Sequence, residues 1–441
     1  MTDIPISSEI IKTLANSIGI PSPGSSSIRE IAHLVNKIEE NTGIKFIRME
    51  MGVPGLPAPA IGIEAEISAL KSGVASLYPD ISGIKPLKNE TSRFIKLFLN
   101  VDIDPEGCIP TVGSMMGAMV SFLVANRNDK TKEGTLFIDP GFPVQKQQVK
   151  MLGHDYCSFD IYNYRGKKLK EKLESHLKSG KISSLLFSNP NNPSWICLTE
   201  EELAIIAELS RKYDVIPIED LAYFGMDFRK DYSSPGKAPF QPTIARYTDE
   251  YIMLISSSKI FSYAGQRIGM MVISDQLFNR SYPDLLRYYS TDKFGHSAIF
   301  GALYGLSAGV SHSVQYGLAA LIKAVNDGNY KYRNDVLEYG EKAGEMKKMF
   351  LSNGFHILYD RDIDEPLADG FYFTIAYPGM SGDKLIEELL CYGISAISLA
   401  TTGSDRPDGL RACVSKVPRE QFGELETRLI KFNKDHPLEK N

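Results

Sequence analysis

Between residues 110 and 275, short apolar runs alternate with amphipathic stretches along the chain. A short apolar run bounded by turn residues predicts a buried strand, and a longer amphipathic stretch predicts a helix. The runs that predict strands are Thr135–Ile138, Ser184–Phe187, Val215–Ile218, Ile252–Ile255 and Met270–Ile273. Strands that alternate with helices are typical of an α/β fold with a mostly parallel sheet, which binds ligands beyond the carboxyl ends of its strands.

The chain is too long for one ordinary domain. It has 441 residues, of which 43% are hydrophobic, so we expect two domains with substantial cores. After about residue 325 the pattern changes, and strand-like runs at Gly370–Ile375 and Leu410–Val414 predict a smaller α+β unit. We therefore predict a large domain over residues 52–325 and a small domain formed by residues 1–51 and 326–441.

Composition argues against several classes of protein. The formal net charge is −5 and no basic stripe occurs, so nucleic acid is not an expected partner. The five cysteines are scattered and the seven histidines lack metal-ligand spacing, which argues against disulfides and a metal site. Met1–Pro5 lacks the basic and apolar parts of a signal peptide, and no apolar run reaches the ~18 residues that span a bilayer. We expect a cytoplasmic enzyme that does not enter the membrane.

The segment from Asn189 to Arg267 carries an amide, a carboxylate, a phenol, a lysine and an arginine in that order. These groups suit an aromatic, phosphorylated cofactor that bears an aldehyde, because a lysine amine forms a Schiff base with an aldehyde reversibly. The motifs that contain them are Asn189–Pro193, Ile218–Tyr223, Ser256–Lys259 and Gln266–Gly269. Their order and spacing resemble the class I and II aminotransferases, which have fold type I and bind pyridoxal phosphate (PLP). The resemblance extends from about residue 48 to about residue 415.

The resemblance implies a role for each charged group in this segment. Lys259 is expected to form the Schiff base and to act as the general base, while Ser256 and Arg267 bind the cofactor phosphate. Asp220 is expected to pair with the pyridine nitrogen and keep it protonated, which makes the ring an electron sink. Glu219 is a competitor, but side chains alternate along a strand, so only one of the two carboxylates can face the site. Taken singly, each of these residues is also an ordinary surface or strand-end residue.

Further cofactor contacts follow from the same resemblance. Tyr223 and Asn192 match the pair that donates hydrogen bonds to the 3′-oxygen, and a cis peptide bond is implied after Asn192. Phe142 matches the aromatic residue that stacks on the pyridine ring. Ser114 and Met115 precede an apolar helix and match the residues at the phosphate, where the N–H groups of a helix N-terminus bind an anion. Outside this pattern, Phe142 and Tyr223 are simply core aromatics.

The resemblance also predicts residues for the substrate and for a partner subunit. Arg411 matches the arginine that binds the substrate α-carboxylate through two hydrogen bonds. Arg406 is a competitor, although it lies in a turn. Asn192 and Gly52 match residues that bind and close over the same carboxylate. Tyr78 matches the tyrosine that reaches the phosphate of the neighbouring subunit, which implies a homodimer with shared active sites.

Two local departures from the family pattern indicate an outlying subfamily. The family usually has Thr-Gly after Asn-Pro, whereas Ser194 and Trp195 occupy these positions here. Trp195 is the only tryptophan of the chain. Met115 and Met116 also lie where polar residues are common.

The predicted reaction is transamination between an α-amino acid and a 2-oxo acid. A β-eliminating lyase of the C–S type is an alternative, because the same fold, lysine and aspartate serve that chemistry. A DNA-binding regulator is a third possibility, but only about fifty residues precede the first motif and they contain no basic recognition helix. No second cationic group can be assigned to a side-chain carboxylate, so a dicarboxylic donor is not favoured.

Overall fold

The computed structural model describes residues 4–437. Residues 1–3, on which part of the signal-peptide prediction rests, and residues 438–441 of the predicted small domain lie outside the described chain. The α-helices are α1 (Ser8–Ser17), α2 (Ile28–Thr42), α3 (Ala60–Lys71), α4 (Lys85–Leu99), α5 (Gly113–Ala125), α6 (Pro143–Met151), α7 (Lys168–Leu177), α8 (Glu200–Tyr213), α9 (Ser257–Ile260), α10 (Asp275–Asn279), α11 (Phe294–His296), α12 (Tyr304–Ser307), α13 (His312–Asn326), α14 (Arg333–Ser352), α15 (Gly382–Cys391) and α16 (Phe422–Asp435).

The strands are distributed over one large sheet and several small ones. In chain order they are β1 (Ile47–Arg48), β2 (Cys108–Thr111), β3 (Gly134–Asp139), β4 (Tyr156–Asp160), β5 (Ile182–Ser188), β6 (Ile216–Leu221), β7 (Ile252–Ser256), β8 (Gly269–Ile273), β9 (His356–Ile357), β10 (Arg361–Asp362), β11 (Glu365–Pro366), β12 (Tyr372–Ala376), β13 (Ile394–Ser395), β14 (Ile397–Ser398) and β15 (Leu410–Cys413). Every strand predicted between residues 110 and 275 is present.

The described chain divides into two compact units. Unit 1 contains residues 4–55, Asn192–Ile196 and residues 337–437, and unit 2 contains residues 56–191 and 197–336.

Unit 2 is built on a seven-stranded sheet with the order β2-β8-β7-β6-β5-β3-β4. β8 runs antiparallel to both of its neighbours, and the other pairings are parallel. The carboxyl ends of the parallel strands therefore lie at one edge of the sheet, and the amino end of β8 lies at the same edge. The predicted mostly parallel α/β sheet is confirmed.

Apolar packing holds this sheet against its helices. β3, β6, β7 and β8 are buried along their whole length. Residues of α5 such as Ala118 and Phe122 pack in one cluster with Leu254 and Met271 of the sheet. Truncating Phe122, Leu254 or Met271 to alanine costs about 2–5 kcal/mol of stability, because the transfer and cavity terms add. This core fixes the positions of the strand ends that carry the polar residues.

Local signals set the ends of the helices as the sequence predicts. α8 begins at a capping box, in which Thr199 accepts a hydrogen bond from the Glu202 N–H and the Glu202 carboxylate accepts one from the Thr199 N–H. α2 also begins with a capping box, which is formed by Ser27 and Glu30. Across residues 4–437, no helix combines the length and the apolar character needed to cross a membrane.

Unit 1 contains a four-stranded antiparallel sheet with the order β14-β15-β12-β9. The predicted strands Gly370–Ile375 and Leu410–Val414 correspond to β12 and β15, and Thr374 pairs with Arg411 across them. β1 pairs in parallel with β13 in a separate two-stranded sheet. Because β15 lies between β14 and β12, Arg411 is on an interior strand of its sheet and is buried.

Candidate active site

Three neighbouring strands of unit 2 bring four of the predicted cofactor residues to one edge of the sheet. Asp220 lies near the end of β6, Ser256 ends β7, and Lys259 follows on α9. Arg267 lies two residues before β8, and Ser256 pairs with Gly269 at the start of that strand. Since β8 runs in the opposite direction, a residue before its first position lies at the same edge as residues that follow β6 and β7. Lys259 is half-buried there.

The start of α5 lies beside the guanidinium of Arg267. Gly113 has φ +68°, a backbone conformation that is strained for other residues, and a Cβ at this position would lie 2.6 Å from Arg267 Nη2. A Cβ on Gly269 would lie 3.0 Å from the amide nitrogen of Ser114. The amide groups of a 13-residue helix and an exposed guanidinium therefore meet at this edge. The two together form a site for an anion such as a phosphate.

Ser256, Ser114 and Met115 lie at the ends of the elements that meet at this edge, at the end of β7 and in the first turn of α5. The Oγ atom of Ser256 accepts a hydrogen bond from the Ser258 N–H at 3.2 Å and thereby caps α9. Ser114 and Met115 are half-buried in the first turn of α5. The carbonyl of Met115 accepts a hydrogen bond from Gln148 Nε2 at 2.9 Å, which ties α5 to α6.

Asp220 is a buried carboxylate whose hydrogen-bond partners are neutral. Gln145 Nε2 donates to Oδ2 at 2.8 Å, and the Ala222 N–H donates to Oδ1 at 3.1 Å. Burial raises the pKa of Asp220 to about 6, although both hydrogen bonds lower it. Among residues 4–437, no cationic side chain forms an ion pair with this carboxylate. The environment is suited to a cationic or N–H-donating group of a ligand.

Glu219, the competing carboxylate, is fixed by other partners. Thr243 Oγ1 donates to Glu219 Oε2 at 2.5 Å, and the Ile244 N–H donates to the same oxygen at 3.1 Å. Burial raises the pKa of Glu219 to about 7. Because successive side chains of β6 point to opposite faces of the sheet, Asp220 lies against α6 and Glu219 against the segment after residue 242.

Gln145 is a residue of this site that the sequence analysis missed. It lies in the first turn of α6, three residues after Phe142, which is the N-cap residue of that helix and is half-buried. Residues three apart on a helix share a face, so the position of Phe142 could have identified Gln145. Tyr223 is buried in the turn that follows β6, where its carbonyl accepts a hydrogen bond from the Met226 N–H.

Arg411 of unit 1 is a buried guanidinium that also has only neutral partners. Only 1% of its surface is exposed. Nη2 donates to the Glu50 carbonyl at 2.6 Å, and Nη1 donates to Asn192 Oδ1 at 3.4 Å. Nε has no acceptor, and no carboxylate between residues 4 and 437 forms an ion pair with Arg411. A buried charge without a counterion is costly, so this site fits an external carboxylate.

Asn192 and Gly52 belong to the same unit as Arg411. The peptide bond between Asn192 and Pro193 is cis, as the resemblance implies. A Cβ on Gly52 would clash with the hydroxyl oxygen of Tyr372, so glycine is required there. Arg406, the competing arginine, is half-buried, with its guanidinium 5.3 Å from the centre of the Tyr359 ring.

The predicted site residues therefore fall into two groups. Unit 1 holds Gly52, Asn192 and Arg411, and unit 2 holds the others. Tyr78 differs from the rest because 94% of its surface is exposed. Within residues 4–437, no cluster of histidine, cysteine, aspartate and glutamate side chains is arranged to hold a metal ion.

Comparison with known proteins gives consistent results. Residues 47–429 match the family model for aminotransferase class I and II. A probable aspartate aminotransferase of Methanocaldococcus jannaschii is 26% identical over 345 residues, covering 74% of this chain and 85% of that protein. A glutamate-pyruvate aminotransferase of Escherichia coli is 26% identical over 316 residues, covering 70% of each. The structure of an alanine aminotransferase from Pyrococcus furiosus matches with a TM-score of 0.74 at 19% identity, covering 92% of this chain and 97% of that one.

The structural match confirms the predicted fold type I. The relatives compared here are aminotransferases and give no support to the β-eliminating lyase alternative. The residues present also fit the cofactor of that family, since the anion site at Gly113 suits a phosphate and the buried Asp220 suits a protonated ring nitrogen. Because the family model covers most of the chain, this protein belongs to the class I and II aminotransferases, PLP-dependent enzymes that move an amino group between an amino acid and a 2-oxo acid.

Proposed function

We propose that the residues at the sheet edge of unit 2 hold PLP and that Arg411 binds the α-carboxylate of the amino acid. The observation that carries this proposal is a pair of buried, oppositely charged groups without counterions, Asp220 and Arg411. A buried charge of this kind is stabilised when a ligand supplies the opposite charge. A protonated pyridine nitrogen is the counterion for Asp220, and a substrate carboxylate is the counterion for Arg411.

The phosphate would be held by Arg267, the hydroxyl of Ser256 and the first turn of α5 at Ser114 and Met115. Support comes from the position of Arg267 beside Gly113 and from the free amide groups of a helix N-terminus. Phe142 would pack on the ring. Tyr223 and Asn192 would donate hydrogen bonds to the 3′-oxygen, which lower its pKa by stabilising the anion.

When bound, PLP supplies an aldehyde carbon that accepts the amino group and a ring that withdraws electrons from the substrate Cα. The protein supplies the proton transfers and the orientation. Lys259 would act as the general base that accepts the proton from the substrate Cα and later donates it. Asp220 keeps a proton on the ring nitrogen. Arg411, with Asn192 and the loop at Gly52, fixes the carboxylate and so orients the Cα–H bond.

The relatives indicate which substrates should be tested first. By name, they act on aspartate, or on glutamate and pyruvate. We propose that at least one of the amino acids alanine, aspartate and glutamate is an amino donor for this enzyme. A dicarboxylic donor needs a second cation for its side chain, and the sequence assigns none, so alanine is the favoured donor of the three.

The homodimer is proposed from an apolar row on the surface of unit 2. Its exposed side chains are Ile61 (36%), Ile63 (42%), Ile67 (45%), Leu70 (47%), Leu77 (61%) and Tyr78 (94%). Several exposed apolar side chains within one short stretch of the chain are typical of a protein interface. A second copy of this chain would cover them, and Tyr78 would then reach the phosphate site of the partner subunit.

Domain organisation and location stay predictions. We propose a large domain over residues 52–325 and a small domain of residues 1–51 and 326–441. The boundaries between unit 1 and unit 2 after Gly55 and after Val336 lie close to these limits and support the proposal. The cytoplasmic location is supported by cysteines that are scattered along the chain without paired spacing.

A half-reaction screen tests the proposed function. Purified protein loaded with PLP is mixed with single amino acids, and the cofactor absorbance is followed. We expect conversion to the amine form of the cofactor and release of a 2-oxo acid, reversed when a second 2-oxo acid is added. Release of pyruvate and ammonia from cysteine-type substrates without an acceptor acid would instead establish the lyase.

Variants test the individual roles. Lys259→Ala should abolish the half-reaction, and peptides of the borohydride-treated wild type should carry a cofactor adduct at Lys259. An adduct at another lysine would refute this assignment. Mixing Tyr78→Ala with Lys259→Ala should restore activity to part of the dimers, because one site of each mixed dimer keeps both wild-type residues. Lack of restoration in confirmed mixed dimers would refute the shared site.

A further inference from the structure

We propose that Tyr372 is a positioning residue for the substrate carboxylate, because the Arg411 guanidinium lies over the face of its ring, and that Trp195 keeps this ring in place. This inference rests on the proposed role of Arg411 and adds two residues to it. All the contacts that support it lie within unit 1.

The guanidinium of Arg411 lies over the ring of Tyr372. Its Cζ atom is 4.6 Å from the ring centre, and both side chains are buried. The register explains the contact, since Arg411 pairs with Thr374 and Tyr372 is two residues away on the same face of β12. A cation is attracted to the face of an aromatic ring, and this attraction is stronger where water is excluded.

The ring restricts how Arg411 can bind a ligand. With Cζ over the ring of Tyr372, Nη2 donating to the Glu50 carbonyl and Nη1 donating to Asn192 Oδ1, the guanidinium is held in position. A planar guanidinium donates in its own plane, so a carboxylate can approach only along its edge. Tyr372 therefore selects the direction of approach as well as stabilising the charge.

Tyr372 also contacts the loop that carries Gly52. The hydroxyl end of Tyr372 lies so close to Gly52 that a Cβ at that position would clash with it. Two of the residues predicted to bind the substrate carboxylate, Gly52 and Arg411, thus contact the same ring. A change in the position of that ring would move both.

Trp195 supports Tyr372 from the side. The two ring centres are 6.1 Å apart with an interplanar angle of 67°, an edge-to-face arrangement. Trp195 is 1% exposed, and its indole packs so closely on Gly370 that any side chain there would clash. These contacts place the tryptophan between Gly370 and the ring that lies under Arg411.

The backbone of Trp195 adopts an unfavourable conformation at this position. Trp195 has φ +65°, a left-handed conformation that is unfavourable for a bulky residue. The class I and II aminotransferases usually have glycine at this position, and glycine adopts the same conformation without strain. Such strain persists only when the surroundings compensate for it, and the contacts with Gly370 and Tyr372 provide that compensation.

Binding of two unreactive amines to the PLP-loaded enzyme tests the inference. 2-Methylalanine carries a carboxylate, and tert-butylamine carries a methyl group in its place; neither has a Cα proton to lose. The dissociation constant of each is measured from the change in cofactor absorbance. The ratio of the two dissociation constants gives the selectivity for the carboxylate. A purely structural defect that weakens the binding of both amines equally leaves that ratio unchanged.

Tyr372→Leu should lower the carboxylate selectivity roughly 2- to 30-fold, the range that corresponds to a cation–π contact. Tyr372→Phe keeps the ring and should retain the selectivity within about twofold. Trp195→Gly should lower it as well, by less than Tyr372→Leu, because the ring loses its lateral support. Tyr372→Met replaces Tyr372→Leu if the latter does not load cofactor.

Arg411→Leu separates this inference from the proposed function. If Arg411→Leu leaves the selectivity unchanged, the role of Arg411 itself is refuted. If Arg411→Leu abolishes the selectivity while Tyr372→Leu and Tyr372→Met retain it, only the role of Tyr372 is refuted. A loss of selectivity in Tyr372→Phe equal to that in Tyr372→Leu would show that the hydroxyl, and not the ring, positions the arginine.

Discussion

Asp220 of unit 2 and Arg411 of unit 1 are buried charged groups in similar surroundings but of opposite sign. Asp220 accepts hydrogen bonds from the Gln145 amide and from a backbone N–H, and Arg411 donates to the Glu50 carbonyl and to the Asn192 amide. Neither has a counterion among residues 4–437. Neutral partners orient a buried charge without cancelling it, which leaves it able to bind an ion of opposite sign.

The pair Arg165–Glu202 in unit 2 shows the opposite arrangement. Its side chains are buried, and Arg165 Nε lies 2.7 Å from Glu202 Oε1. Burial raises the pKa of Glu202, but the hydrogen bonds and charge of Arg165, with backbone N–H groups, outweigh it and lower the pKa overall. For Asp220 burial outweighs the hydrogen bonds. A buried ion pair within the protein is therefore structural, whereas a buried charged group that has no oppositely charged partner in the protein is a candidate for ligand binding.

The largest effect is expected when the carboxylate of Asp220 is removed. Asp220→Ala should lower turnover by about 10²- to 10³-fold, the usual loss when one preorganised electrostatic group is deleted. Cofactor binding should weaken as well, because the ring nitrogen loses its partner. Steady-state kinetics at saturating PLP measures this loss. Glu219→Gln is the matched control on the other face of β6 and should keep most of the turnover; a larger loss in the control would reverse the assignment of the two carboxylates.

Removing the guanidinium of Arg411 should separate function from stability. Arg411→Met should raise KM for the amino acid by about 10²-fold, since a buried charged partner of the carboxylate is lost. It should not destabilise the apoprotein, because an uncompensated charge is replaced by an apolar side chain. Arg165→Met is the comparison, and it should lower the free energy of unfolding by about 3 kcal/mol because Glu202 is left buried alone.

Urea unfolding of the two apoproteins measures this difference. An Arg411→Met protein as unstable as Arg165→Met would show that Arg411 is a structural cation.

The raised pKa of Asp220 predicts that the free energy of unfolding of the apoprotein depends on pH. The folded pKa of about 6 lies above the ordinary value of 3.8, so the folded state binds more protons between these values and its stability falls as pH rises from 4 to 6. The loss attributable to Asp220 is roughly 3 kcal/mol. Unfolding of wild-type and Asp220→Asn apoproteins at pH 4.5 and pH 7.5 should show about 2 kcal/mol of this loss, because part of it has already occurred at pH 4.5 and the other buried carboxyl groups are common to both. Equal pH dependence in the two proteins would contradict the prediction.

The smallest effect is expected at Gln145. Gln145→Leu removes a donor from Asp220, which should raise the pKa of that carboxyl further and lower turnover roughly tenfold, since a hydrogen bond to a charged group contributes about 1.5 kcal/mol. The pH profile of turnover should also shift to higher pH on its acidic side. Gln148→Leu, which removes a hydrogen bond from the same helix to Met115, is the control and should leave the pH profile unchanged.

The sequence determined the class of fold and the residue types of the site. Apolar runs such as Ile252–Ile255 depend on residues close together in the chain, so local periodicity was sufficient to predict β7. The order of Asp220, Lys259 and Arg267 could be read for the same reason, because each follows or precedes a strand that the pattern predicts.

Only the tertiary structure decided which side chains meet. The reversed direction of β8 brings Arg267 to Gly113, the packing of α6 on the sheet brings Gln145 to Asp220, and the register of two strands places Arg411 over a tyrosine. Strand direction, register and helix packing relate residues that are far apart in the chain, and no local pattern encodes those distances. The chemistry of the charged groups was therefore visible in the sequence, whereas the neutral residues that orient them became visible only in the fold.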